Sequence, residues 1–321
     1  MNKTHKPLLT LVLVHNDLDG GGSAICIINH IKQKYGINAE YKLHFATYKN
    51  IDLYVERILD EPERYEKVFI ADIHIHPELA QELYNVYKDN FILLDHHPSA
   101  SNLKDIPNCI IDLTGKICGA AMCYKYLLKD QGFEFKHLSK LVSICNDYDL
   151  WLHNLPNNIS KNLNFIFYHY WGEKFVERFQ MGFDGFNAEE LEVIKQKWLD
   201  VETQIKTVKF VDPLEEDVNY KNKLCIIPVS NNKDGEVNEL CEYAIKTLNY
   251  EIVMFVNSRS RKISIRSSDN AAKKGLHIGN FNAENAWGGG HAQAGGISYF
   301  DELQLETICN AYSDKLAELN I

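Results

Sequence analysis

Three clusters of carboxylate and imidazole side chains each follow an apolar run. His15, Asp17 and Asp19 follow Leu11–Val14, Asp72 follows the run from Lys67 to Ala71, and Asp95-His96-His97 follows Phe91–Leu94. A fourth acidic pair, Asp147 and Asp149, comes just after a helical pattern running from Leu138 to Cys145. Carboxylates held this close repel one another unless a cation sits between them. Imidazole mixed with carboxylate suits Mn²⁺, Fe²⁺, Co²⁺ or Zn²⁺ better than Ca²⁺. Four aspartates with two histidines exceed what one ion needs. Two ions about 3.5–4 Å apart would use them all, acidify a bridging water and polarise phosphoryl oxygens. The competing reading of the first cluster is a solvated turn in which Asp17 caps the next helix.

The elements that must position these groups follow from periodicity. An apolar run, a polar turn and a helical pattern read as strand, turn and helix. The first strand is Leu11–Val14, extended backwards to Leu8, and the first helix spans Ser23 to Tyr35. Gly20, Gly21 and Gly22 between them read as a tight turn that also lets a substrate approach. Strands are expected at Tyr41–Ala46, Lys67–Ala71, Phe91–Leu94 and Cys109–Leu113. Helices are expected at Ile51–Leu59, Pro77–Lys88, Gly119–Leu128 and Leu138–Cys145. This alternation implies an α/β fold with a parallel sheet, right-handed crossovers and helices on both faces. The acid and histidine clusters would then lie along the carboxyl edge of the sheet, where open α/β sheets bind ligands. His74 and His76 read as an exposed polar turn before Pro77.

Further along, Phe165 to Gln180 is an aromatic-rich helix, and its aromatics from Phe165 to Phe179 are either a homodimer face or buried within the one chain. Ala188 to Phe210 reads as one long amphipathic helix joining two domains, and Asp212 to Lys223 as a polar loop. Strands at Leu224–Val229, Ile252–Val256, Lys262–Arg266 and Ile297–Phe300, with helices at Val237–Leu248 and Glu302–Leu319, make a smaller mixed α/β domain. The expected division is 1–187, a linker at 188–210, and 211–321. Within the last part, Gly288, Gly289 and Gly290 would present bare amides to an anion, with His291 as a charged donor.

The 321 residues carry a net charge of −10, which argues against gripping long duplex nucleic acid but not against a small phosphorylated substrate. The eight cysteines form no C-x-x-C pair and read as small buried hydrophobes rather than zinc ligands or disulfides. Lys3 and Lys6 before an apolar stretch resemble a leader weakly, but the stretch runs straight into the charged motif. A cytoplasmic protein without a membrane span is expected.

Asp95-His96-His97 after a hydrophobic strand, with His15-x-Asp17-x-Asp19-Gly20 before it, resembles the DHH phosphoesterase superfamily. Gly288-Gly289-Gly290-His291-x-x-Ala294-Gly295-Gly296 resembles its C-terminal DHHA1 domain. The resemblance covers nearly the whole chain and keeps the family's motif order. It implies His15 and Asp17 on one metal, Asp19, His96 and Asp147 on a second, and Asp72 shared by both. Asp149 is the alternative to Asp147. It further implies that His97 faces the substrate phosphate, that Asp95 orients the histidines, and that Arg266 grips a terminal phosphate beside Gly289, Gly290 and His291.

The implied cofactor is a pair of Mn²⁺ ions, with Mg²⁺, Co²⁺, Fe²⁺ or Zn²⁺ as substitutes. The implied activity is hydrolysis of short single-stranded oligonucleotides or dinucleotides such as pApA to mononucleotides, by attack of a metal-bridging hydroxide. The alternatives are a RecJ-like single-strand exonuclease, an inorganic pyrophosphatase and a non-catalytic nucleotide-binding regulator.

Overall fold

A computed structural model describes residues 9–133, 135–213, 223–230 and 236–321. Most of the expected 212–223 loop, and Leu8 of the first strand, lie outside these residues. The chain divides into two compact units, Met1–Ile194 and Lys195–Ile321.

The first unit is built on five parallel strands: β1 (Thr10–His15), β2 (Tyr41–Ala46), β3 (Lys67–Ala71), β4 (Phe91–Asp95) and β5 (Cys109–Ile111). Their order is β2-β1-β3-β4-β5. The order reverses between β1 and β3, and a crevice opens at such a switch point. The helices are α1 (Leu18–Tyr35), α2 (Ile51–Asp60), α3 (Pro77–Tyr87), α4 (Gly119–Cys123), α5 (Lys136–Asp149), α6 (Ile159–Tyr170) and α7 (Glu173–Phe179), and α8 (Ala188–Thr207) runs across the boundary between the units. Leu11 and Leu13 of β1, Val68 and Ile70 of β3, and Phe91 and Leu93 of β4 form one buried core with α2 and α3. Val12 and Val14 point the other way and are equally buried, and α1 and α4 pack on that side. With both faces covered, the strands read as continuous apolar runs.

Several boundaries differ from expectation. The helix α1 begins at Leu18, so Gly20, Gly21 and Gly22 lie inside its first turns and are buried. They serve close packing rather than a loose turn. A Cβ at Gly20 would sit 1.9 Å from the carbonyl oxygen of His15, and one at Gly22 would sit 2.8 Å from Cys145 Sγ. The expected helix at Gly119–Leu128 changes to π geometry from Tyr124. The aromatic stretch is two helices, α6 and α7, broken where Trp171 and Gly172 take φ of 56° and 54°. The helix α5 runs on to Asp149, four residues past the expected end at Cys145.

The second unit holds a mixed sheet of β6 (Leu224–Val229), β7 (Ile252–Asn257), β8 (Lys262–Ser267), β9 (Gly288–Gly290) and β10 (Ala294–Ser298), in the order β6-β7-β8-β10-β9. Only β6 and β7 are parallel neighbours. The helices are α9 (Val237–Lys246), α10 (Asp269–Lys273), α11 (Ile278–Glu284) and α12 (Glu302–Glu318). One face of the sheet packs on α12 through Ile308, Tyr312 and Leu316, the other on α9 through Leu240, Cys241 and Ala244. The short helices α10 and α11 carry too few turns for a periodic signal. The glycine segment is an antiparallel hairpin of β9 and β10. No helix among the described residues is long and apolar enough to cross a membrane.

Candidate dimetal centre

The end of β1 and the start of α1 place the first three groups. His15 Nδ1 lies 2.7 Å from Asp17 Oδ2 and 3.9 Å from Asp72 Oδ2. Asp17 also accepts from the Gly20 amide through Oδ1 at 2.9 Å. It therefore caps α1 with one oxygen and faces His15 with the other. Asp19 is buried in the first turn of α1, and its carboxylate accepts from the Gly119 and Ala120 amides at 2.6 and 2.9 Å. The amino end of α4 thus stabilises that charge.

Asp72 stands at the centre. It follows β3 in left-handed backbone, with φ of 61°, and its amide donates to Leu94 O at 2.9 Å. Such backbone strain in a non-glycine residue gathers at functional sites. His96 Nε2 lies 3.2 Å from Asp72 Oδ1, 3.5 Å from Asp149 Oδ2 and 3.6 Å from Asp19 Oδ2. One imidazole nitrogen cannot satisfy three carboxylates. Asp72 Oδ2 and Asp149 Oδ2 are buried without a hydrogen-bond donor. Burial, then the charges of Asp19, Asp17 and Asp149, pushes the Asp72 carboxyl well above the usual carboxylate range. Burial and Asp19 do the same to Asp149. Burial and the neighbouring His97 hold His96 down to about 4, a neutral imidazole with a lone pair to give. The donors group as His15, Asp17 and Asp72, and as Asp19, His96 and Asp149, with Asp72 reaching both His15 and His96. This oxygen and nitrogen set, with its orphaned buried oxygens, fits one or two divalent cations of the Mn²⁺ class.

Asp147 does not join this cluster, which corrects the choice made from sequence. Both aspartates lie on α5, where residues two apart point about 200° away from each other. Asp147 faces away and is fully used: Ser160 Oγ donates to Oδ2 at 2.6 Å and the Asn154 amide to Oδ1 at 2.8 Å. Asp149 is the one that faces His96.

Asp95 and His97 form a tight pair at the end of β4. Asp95 Oδ1 accepts from the amides of His96 and His97 at 2.8 and 3.2 Å, and His97 Nδ1 lies 2.7 Å away. Burial opposes charging His97, but the Asp95 carboxylate overrides it and brings the imidazole up to about 9. With its folded value raised above 6.5, the imidazolium contributes stability in full below pH 6.5 and loses it as pH rises through about 9. In cation-free protein, NMR titration is expected to place His97 near 9, and Asp95→Asn to bring it below that value by removing the negative partner. A wild-type value at or below 6.5 would contradict the pairing.

Sequence reasoning missed Tyr48 and undervalued His74. The Tyr48 ring centroid is 5.2 Å from His15, 4.9 Å from His74 and 6.1 Å from His97. His74 is half-buried, and its Nδ1 lies 3.0 Å from Ser99 Oγ. His76 is exposed beside Glu78, as expected of a surface turn. No linear motif marks Tyr48, since it enters from the turn after β2.

In the second unit, Arg266 on β8 donates from Nε and Nη2 to Asn238 Oδ1 at 3.1 and 2.6 Å. Gly289 and Gly290 belong to the edge strand β9 rather than to a loop of bare amides. Gly290 has φ of 144°, and a Cβ there would meet Ala294 O at 2.2 Å. The His291 amide donates to Ala294 O at 2.7 Å across the hairpin.

No family model matches the chain. Oligoribonuclease NrnB of Bacillus subtilis strain 168 is 21% identical over 313 residues, spanning 93% of this chain and 75% of the relative. RecJ from Thermus thermophilus in complex with Mn²⁺ has a similar fold, at 15% identity and a TM-score of 0.62. That likeness covers 96% of this chain and 52% of the other, so the chain spans about half the length of that RecJ. An exopolyphosphatase-related protein from Bacteroides fragilis gives a TM-score of 0.57 at 15% identity, over 98% of this chain and 94% of that one.

Proposed function

We propose, from the premise that this chain is a DHH-superfamily phosphoesterase, that it is a metal-dependent hydrolase of phosphodiester bonds in short single-stranded oligonucleotides or dinucleotides. The observation that carries this reading is the convergence of Asp19, Asp72 and Asp149 on His96 Nε2, with His15 and Asp17 on the other side of Asp72. His15 and Asp17 would hold one divalent cation, Asp19, His96 and Asp149 a second, and Asp72 would serve both. When bound, such ions supply Lewis acidity toward phosphoryl oxygens and lower the pKa of a water.

The chain's own residues do the rest. Asp95 holds Nδ1 of His97 and keeps the ring charged, so Nε2 carries the other proton. From there His97 stabilises negative charge growing on the phosphate and passes that proton to the departing nucleoside oxygen. Asp95 acts through His97 and is a positioning residue. Arg266, fixed by Asn238, would clamp a terminal phosphate, with His291 and the Gly289 and Gly290 backbone beside it on the same sheet. The net charge of −10 favours small substrates over long polymers. The oligoribonuclease relative supports the same substrate class.

The test is hydrolysis of pApA, a short labelled RNA and pyrophosphate, each with Mn²⁺ and with EDTA. Mononucleotide release that requires the cation and falls at least about 100-fold in His96→Ala is expected. Phosphate release from pyrophosphate alone would replace this reading with a pyrophosphatase. Inactivity on all three substrates would remove the hydrolase reading.

A further inference from the structure

Beside the centre lies a cavity of about 230 Å³ that the proposed chemistry does not use. Its walls include Tyr48, Ile51 and Asp52 from the start of α2 and the turn before it, His74 from the turn after β3, and Ser99 and Asn102 after β4. Tyr48 lines the cavity and also borders the centre: its ring centroid lies 4.9 Å from that of His74, 5.2 Å from His15 and 6.1 Å from His97. Ser99 Oγ, 3.0 Å from His74 Nδ1, fixes the second ring against the first.

Three features describe the occupant. The volume falls below the ~300–1,000 Å³ of pockets that take drug-sized ligands, so it suits one planar group. The rings of Tyr48, His74 and His76 beside hydroxyl, amide and carboxylate groups match a base, which has π faces and a polar edge. The described lining has a carboxylate and neither Lys nor Arg, which disfavours a phosphate. Tyr48 also adjoins His97, the group that would protonate the departing oxygen.

We propose that this cavity receives the base of the departing nucleoside, stacked on Tyr48 and His74. This rests on the phosphodiesterase reading and assigns its leaving-group subsite.

The experiment compares kcat/KM for pApA with that for adenosine 5′-methyl phosphate, which retains the same nucleotide but releases methanol. Wild type prefers pApA. Tyr48→Ala lowers that preference at least about ten-fold, Tyr48→Phe keeps it, and Asn102→Trp, which fills the cavity, lowers it as well. A second arm measures adenosine binding in EDTA by saturation-transfer NMR. Binding by wild type and its loss in Tyr48→Ala support the cavity whether or not any substrate turns over. Hydrolysis of pApA with an unchanged preference in Tyr48→Ala and Asn102→Trp overturns the subsite and leaves the reaction standing. Tyr48-dependent binding without hydrolysis does the reverse.

Discussion

Asp72→Asn is expected to raise the melting temperature of the cation-free protein while abolishing the proposed hydrolysis. Asp72 is buried among Asp19, Asp17, Asp149 and Asp95, and burial with these charges drives its carboxyl well above the usual carboxylate range. The sign follows from linkage. A carboxyl whose folded value is raised binds protons more tightly in the folded state, so stability falls as pH rises from the unfolded value of 3.8 toward the folded one. At neutral pH the metal-free fold therefore carries unrelieved repulsion, and the neutral amide removes it. For a unit of this size each kcal/mol relieved corresponds to about 2–4 °C. In Mn²⁺ the order reverses. Wild type gains stability from the cation by mass action, whereas Asp72→Asn gains far less because the carboxylate nearest both donor groups is gone. Turnover is expected to drop about 100- to 1,000-fold, the scale of losing a preorganised electrostatic group. Calorimetry in EDTA and in Mn²⁺ reads both signs, and a lower melting temperature for Asp72→Asn in EDTA would refute the repulsion argument.

Asp149→Asn and Asp147→Asn are expected to fail in different ways. Asp149 presents a buried oxygen without a donor 3.5 Å from His96 Nε2, so its loss weakens one cation position. Titration with Mn²⁺ is expected to show one tight ion instead of two, with turnover reduced at least about 100-fold. Asp147 accepts from Ser160 and the Asn154 amide through its two oxygens. An asparagine can accept on only one side, so a buried donor loses its partner at a cost of about 1–3 kcal/mol. Its Mn²⁺ stoichiometry stays at two. The opposite pattern, with an ion lost in Asp147→Asn and kept in Asp149→Asn, would restore the assignment made from sequence.

The amino-acid sequence by itself determined the layered first unit and most of its centre. Leu11–Val14, Lys67–Ala71 and Phe91–Leu94 are apolar on both sides, which only a strand buried on both faces requires. Once those runs are parallel neighbours, the groups at their carboxyl ends fall on one edge, and His15, Asp72 and His96 meet without any further information. The same local logic found α9, α12 and strands β6 to β8. What only the tertiary structure decided depends on rotation and on long-range packing. Asp147 and Asp149 differ by where α5 ends. Sequence periodicity stopped at Cys145, while Asp147, held by Ser160 from α6, sits in a final turn that continues to Asp149. Gly20 and Gly22 look like turn residues in a linear reading. They lie inside a helix, and they are glycine because α1 runs so close to the end of β1 and to α5 that a side chain would not fit. Tyr48 and His74 join the site from turns after two different strands. Local propensity records what each segment becomes, but which face of a helix meets which turn is set by contacts between residues distant in the chain.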